Sequence, residues 1–235
     1  MASVWFNELR DVVNVGHHDR TQNKIRKIVS QPINTIVWDL GGVLVDWSPL
    51  YVYDANYFKD SSERDYFFNC ICTQDWNEQQ DAGYSLQKAT EEKLAEFPEA
   101  KWAQPIRDFY GRWTEMLKGP LPETVSLFKT LKAKEQYRFY ALTNWSGENF
   151  HIALERFDFL HWFDGRLVSG EEGIRKPFPE FYQLLFSRFQ IDPARALFID
   201  DNLRNVKAGE QQGMKGIHFQ SASQLQVSLQ ELGIY

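Results

Sequence analysis

Cysteine is scarce in this chain: among 235 residues only Cys70 and Cys72 occur, one residue apart in FFNCICTQ. Two thiols so placed supply neither a disulfide framework nor the paired knuckles of a zinc site, and both are expected to be buried packing residues. Positive charge is not in excess either. Lys and Arg number 26 against 32 Asp and Glu, a formal net charge of -6, and no basic stripe with interleaved aromatics stands out, so no nucleic-acid partner is expected. Long hydrophobic runs are missing, since none approaches the ~18 residues needed to cross a bilayer, and no membrane association is expected. The opening MASVWFNELRDVV mixes charges into its apolar residues, unlike a secretory leader, and the expected location is the cytoplasm. A glycine-rich nucleotide fingerprint is lacking too: Gly170 and Gly173 in SGEEG do not have its spacing and read as a loop that presents Lys176.

What is present is an ordinary globular composition, 43% hydrophobic and 25% charged, in a length that builds one good core with a smaller lobe. The apolar stretch Ile36-Val37-Trp38 runs into Asp39, and Leu40-Gly41-Gly42-Val43-Leu44-Val45-Asp46 follows. Such a strand implies burial on both faces, as in a parallel sheet, whose carboxyl ends are where ligands bind. Asp39 is therefore aimed at a site, although an Asp after a strand also serves as a helix N-cap or turn former. Three more signals follow in order. The run 137–142 ends in Thr143-Asn144; Lys176 stands in GIRKP ahead of a helical pattern; and Ala196-Leu197-Phe198-Ile199 ends in Asp200-Asp201-Asn202.

The rhythm of strand and helix after residue 120 predicts an α/β fold, a parallel sheet wrapped by helices. Strands are expected at 34–40, 137–143, 166–169, 195–199 and 215–219, and helices at 122–132, 147–156, 178–189, 202–212 and from about 223. Between residues 47 and 119 the pattern is helical without strand alternation, with helices at 63–70, 85–97 and 102–117. This gives three parts: an N-terminal extension, 1–33; a core of 34–47 and 120–235; and an inserted helical segment, 48–119. Within the extension a helix is expected near 21–30, and His17-His18 reads as a solvated loop rather than a metal site. Asn77 to Gly83 reads either as a loop facing the core or as a helix end capped by Gly83.

WDLGGVLVDW, LTNWS, SGEEGIRKP and FIDDN together resemble the haloacid dehalogenase superfamily, most of all its α-D-glucose-1-phosphate phosphatase branch. The resemblance implies a Rossmann-like core, the helical insertion acting as a cap, and a magnesium-dependent phosphatase working through an aspartyl-phosphate. It makes Asp39 the nucleophile, Thr143 and Lys176 catalytic, and Asp39, the Gly41 carbonyl, Asp201 and Asp200 the Mg²⁺ site. Asn144 and Gly42 are expected at the phosphate. Gln80 and Asp81 in the cap, with Trp47 and Trp145 at the cleft, are expected at the rest of a small phosphorylated substrate, a sugar phosphate being one candidate. One departure matters: most phosphatases of the superfamily carry a second Asp two residues after the nucleophile, and here that position is Gly41. Asp46, expected at the pocket mouth, is the nearest replacement acid in sequence. Three alternatives stay open: a metal-independent 2-haloacid dehalogenase, which the acidic pair disfavours; a receiver-type signalling module, whose acidic pair comes first rather than last; and a non-catalytic binding or scaffold protein. A monomer or a homodimer is equally compatible with the sequence.

Overall fold

The computed structural model describes residues 32–235; the expected helix at 21–30 and His17-His18 lie outside the described residues. In chain order the strands are β1 (Thr35–Trp38), β2 (Val45–Trp47), β3 (Leu117–Pro120), β4 (Arg138–Thr143), β5 (Gly165–Val168), β6 (Ala196–Asp200) and β7 (Lys215–His218). The helices are α1 (Ser61–Tyr66), α2 (Gln74–Asp81), α3 (Leu86–Glu96), α4 (Ala100–Gly111), α5 (Trp113–Met116), α6 (Pro122–Lys132), α7 (Phe150–Arg156), α8 (Ser169–Glu172), α9 (Pro179–Phe189), α10 (Leu203–Gln211) and α11 (Ala222–Glu231). Five strands form one parallel sheet in the order β5-β4-β1-β6-β7.

All of β1 is buried because both sheet faces are covered. Successive side chains point to opposite faces of a strand. Ile36 and Trp38 accordingly join one core with Phe128 and Leu131 of α6 and Leu225 and Leu229 of α11. Val37 joins a second core with Phe181, Tyr182 and Leu185 of α9. Proline at the first turn starts both α6 and α9, where its missing N–H costs nothing. With β1 flanked by β4 and β6, the residues that follow these three strands are brought to one edge of the sheet.

The helical insertion leaves and re-enters the core through β2 and β3, which pair antiparallel with Asp46 opposite Gly119. These two strands are absent from the sequence-based expectation, and the helix expected over 102–117 is different: α4 ends at Gly111, α5 follows, and Leu117 already belongs to β3. The expected helix at 63–70 is α1 continued by a single wide turn, in which Cys72 N–H donates to the Phe67 carbonyl at 2.8 Å; Cys72 is buried as expected, but Cys70, two residues earlier on this turn, is exposed. Asn77 to Asp81 are helical, not a loop. The Thr73 side chain caps α2 by accepting from Trp76 N–H, and Gly83, at φ +93°, lies just past its end.

Candidate active site

The turn after β1 sets Asp39 at the head of the sheet. Its carboxylate accepts the Leu40 N–H at 2.8 Å and lies 2.9 Å from Lys176 Nζ. Gly42 completes the turn at φ +73°, and a Cβ there would collide with the Asp201 carboxylate, so only glycine lets these two segments approach so closely. At Gly41 the space is open: an added Cβ would meet nothing within 4 Å, and its φ is not in the left-handed region.

After β6, Asp200 is fully buried and its oxygens are used up. Lys176 Nζ donates at 2.7 Å, Asn202 N–H at 2.7 Å and Asn205 Nδ2 at 3.2 Å. Asn202 in turn caps α10 by accepting from Arg204 N–H. Asp201 stays exposed, and oxygens of Asp39, Asp200 and Asp201 all lie within 4.8 Å of one another. Lys176 is 0% exposed and held between Asp39 and Asp200. The Asn144 amide fixes its backbone from both sides, donating to the Lys176 carbonyl at 3.0 Å and accepting its N–H at 2.9 Å. Thr143 ends β4 beside it, and its buried hydroxyl has no partner among the described residues.

Three carboxylates around one ammonium leave the site short of positive charge. Burial, opposed by Lys176 and reinforced by Asp200 and Asp201, pushes the Asp39 carboxyl up to about 8. Burial and the adjacent Asp200 also raise that of Asp201. Burial works against the Lys176 ammonium, yet Asp200 and Asp39 outweigh it and hold its pKa above the ordinary value. A hard divalent cation fits this oxygen-only donor set, with Asp39 and Asp201 facing the same cavity as Gly41, whose carbonyl accepts no hydrogen bond among the described residues.

The cavity has a volume of ≈ 580 Å³ and lies between the sheet edge and the inserted helices. Asp39, Gly41, Gly42, Asn144, Asp201 and Asp81 all line it, as do Trp47 and Trp145. Each of these tryptophans, and Asn149, which also lines the cavity, carries one buried polar atom without a partner among the described residues. Thr143, Lys176 and Asp200 are buried and do not themselves form part of this lining, and two further expected positions differ. Asp46 is not part of the lining; both its oxygens lie 2.8 Å from the Tyr51 hydroxyl. Gln80 is buried within the insertion, where its carbonyl accepts from the Tyr110 hydroxyl at 2.8 Å. The reason is the helix: Gln74, Asn77, Glu78 and Asp81 share the cavity-facing side of α2, while Trp76 and Gln80 are buried on another.

That periodicity also reveals a residue the motifs do not mark. Glu78 is 4% exposed, with one oxygen on Arg204 and the other 2.7 Å from Arg175, so it ties α2 to both the lysine loop and α10. A second tie lies next to it. The Ser169 hydroxyl accepts Trp145 N–H at 2.9 Å and donates to the Asp81 carbonyl. Burial and the Glu78 carboxylate push the Asp81 carboxyl up to about 7, against the pull of Arg175 and Lys176.

Comparison with known proteins agrees with this architecture. A sesquiterpene phosphatase of Aspergillus oryzae is 28% identical over 199 residues, 83% of this chain and 94% of its own length. A flavin mononucleotide hydrolase of Arabidopsis thaliana is 32% identical over 108 residues, 46% of this chain and 43% of the relative. The magnesium complex of a haloacid dehalogenase family enzyme from Bacteroides thetaiotaomicron superposes with a TM-score of 0.60 at 20% identity, covering 81% of this chain and 94% of that one. The family model of the haloacid dehalogenase-like hydrolases matches residues 33–213, from just before β1 to just past α10, and this chain therefore belongs to that family of hydrolases.

Proposed function

We propose that the protein is a magnesium-dependent phosphatase that hydrolyses a small phosphorylated metabolite through a phospho-Asp39 intermediate, with residues 48–119 acting as its cap. The observation that carries the reading is the cluster of Asp39, Asp200 and Asp201 around the buried Lys176, together with a buried Thr143 hydroxyl that has no partner among the described residues. A dianionic ester cannot enter such a pocket without a cation, and a buried hydroxyl left unpaired suits an incoming phosphoryl oxygen.

Asp39, the Gly41 carbonyl and Asp201 would hold Mg²⁺, with Asp200 behind them. When bound, the ion neutralises the carboxylates and the charge of the phosphoryl group. Asp39 Oδ attacks phosphorus, forming an acyl-phosphate as the ester oxygen departs; water then attacks the phosphorus, releasing inorganic phosphate and restoring the carboxylate. Lys176, Thr143 Oγ1 and the Asn144 N–H stabilise the transferring oxygens. Gly42 lets the backbone approach them. The ring-lined cavity, with Trp47 and Trp145 in its wall, supports a substrate that carries a ring, such as a sugar phosphate; the named relatives add flavin and sesquiterpenoid phosphates to the candidates.

The decisive experiment is a panel of sugar, flavin and isoprenoid phosphates together with 2-haloacids, assayed after chelation and again with added Mg²⁺. Phosphate release that depends on Mg²⁺ is expected. Halide release by the metal-free protein, or full phosphatase activity without metal, would overturn the reading.

A further inference from the structure

We infer that Asp81, carried by the inserted helices, is the general acid and base of the reaction, in place of the carboxylate that Gly41 lacks. This rests on the phosphatase reading above. Gly41 lines the cavity with open space where a side chain would stand, so no group of the first turn can protonate the departing oxygen. The other acids are committed. Asp200 spends both oxygens on Lys176, Asn202 and Asn205, and Glu78 spends both on arginines. Asp46 faces the Tyr51 hydroxyl outside the cavity lining, and Asp75, though it lines the cavity, is exposed at the first turn of α2.

Among the described residues, Asp81 alone of the lining acids outside the metal cluster is partly buried and free of any ion pair. Its carboxylate accepts one hydrogen bond, from Asn77 Nδ2 at 3.2 Å. Its backbone is fixed to the core half of the site, because Ser169 bonds its carbonyl while holding Trp145, two residues after Thr143. Gly83 reinforces the clamp: its φ is +93°, and a Cβ there would come within 3.0 Å of the Gly170 carbonyl. The charged groups facing Asp81 are Glu78, Arg175 and Lys176, with the neutral Tyr110 hydroxyl of α4 alongside, and the balance of burial and these charges keeps a large fraction of the carboxyl protonated at neutral pH, as a general acid requires.

In the first step the Asp81 proton passes to the ester oxygen as the P–O bond breaks and the Asp39–P bond forms. In the second, the Asp81 carboxylate takes a proton from the water that attacks phosphorus, and both aspartates return to their starting states. Ester and water give alcohol and phosphate.

The test compares Asp81→Asn with the wild type on p-nitrophenyl phosphate, whose leaving group needs no proton, and on a simple alkyl phosphate, with Mg²⁺ present. The alkyl kcat/KM, which reports the leaving-group step, is expected to fall by about 10²- to 10⁴-fold and the aryl kcat/KM by less than about tenfold, with loss of the basic limb of the alkyl kcat/KM profile, while kcat falls on both esters because they share the hydrolysis step. Asp81→Glu, which keeps an acid, retains that limb, and Gly41→Asp in the Asp81→Asn background returns alkyl turnover by placing a carboxylate in the open space. Equal losses in kcat/KM on the two substrates, or no loss on either, would overturn the assignment. A wild type that cleaves neither ester would instead refute the phosphatase reading itself.

Discussion

Lys176 is the residue on which the charge balance of the site turns, since among the described residues it alone sits between Asp39 at 2.9 Å and Asp200 at 2.7 Å, fully buried. Replacing it by alanine leaves buried carboxylates uncompensated. Lys176→Ala should therefore lower turnover by about 10²- to 10³-fold and cost about 3–5 kcal/mol of stability, read by urea denaturation at neutral pH. An unchanged rate would remove Lys176 from the machinery. Asp39→Asn should abolish turnover while leaving the circular dichroism spectrum intact, because an amide cannot form the acyl-phosphate; near-normal rates would refute the nucleophile. Gly42→Ala should weaken Mg²⁺ binding, since its Cβ would displace the Asp201 side chain, and titration calorimetry on the folded variant measures this directly. Asp39 and Gly42 were legible from sequence because they follow a strand of β-branched and aromatic residues whose end fixes where the next side chains lie, whereas Lys176, in the loop between α8 and α9, was legible only from its motif. Asp46 was misjudged for the converse reason: nearness in sequence to a motif says nothing of which way a side chain turns, and Tyr51 holds it outside the cavity lining.

At the scale of the element, α2 shows why the inserted segment was harder to read. The run Asn77-Glu78-Gln79-Gln80-Asp81 is polar throughout and resembles a loop, but Thr73 caps its start and the helical period sorts it into a cavity face and a buried face. Strands β2 and β3 were invisible for a different reason. Three or four residues are too few to show alternation, and β3 contains both Gly119 and Pro120, so only the pairing across 70 residues of chain defines them. The Glu78 bridge to Arg175 and Arg204 gives α2 a measurable role. Glu78→Gln should lower the melting temperature, because the two arginines lose their carboxylate. It should also move the basic limb of the pH–rate profile toward acid, because the charge that raises the Asp81 carboxyl is gone. A limb that stays in place would separate Glu78 from the proton donor.

For the molecule as a whole, the acids of the site oppose folding in the absence of metal. The Asp39 and Asp81 carboxyls are raised to about 8 and about 7 from an ordinary value of 3.8, so between these limits the folded chain binds more protons than the unfolded one. Stability from this source is complete at the acid end of the interval and is lost as pH rises through the folded values. The melting temperature of the metal-free protein should thus fall between about pH 5.5 and about pH 8.5, and saturating Mg²⁺ should flatten the fall, adding about 2.7 kcal/mol at a hundredfold excess over its Kd. A metal-free melting temperature that climbs over that interval would contradict the assignment. The paired strands β2 and β3 carry one more consequence. Because Trp47 and Leu117 are register partners, the whole helical insertion begins and ends at neighbouring points and can be exchanged for another, or for a short turn, without breaking the sheet. A chain that keeps its proton donor on that exchangeable part cannot trade it away freely: a graft that changes substrate preference would also have to bring its own acid, or be accompanied by a carboxylate restored at position 41.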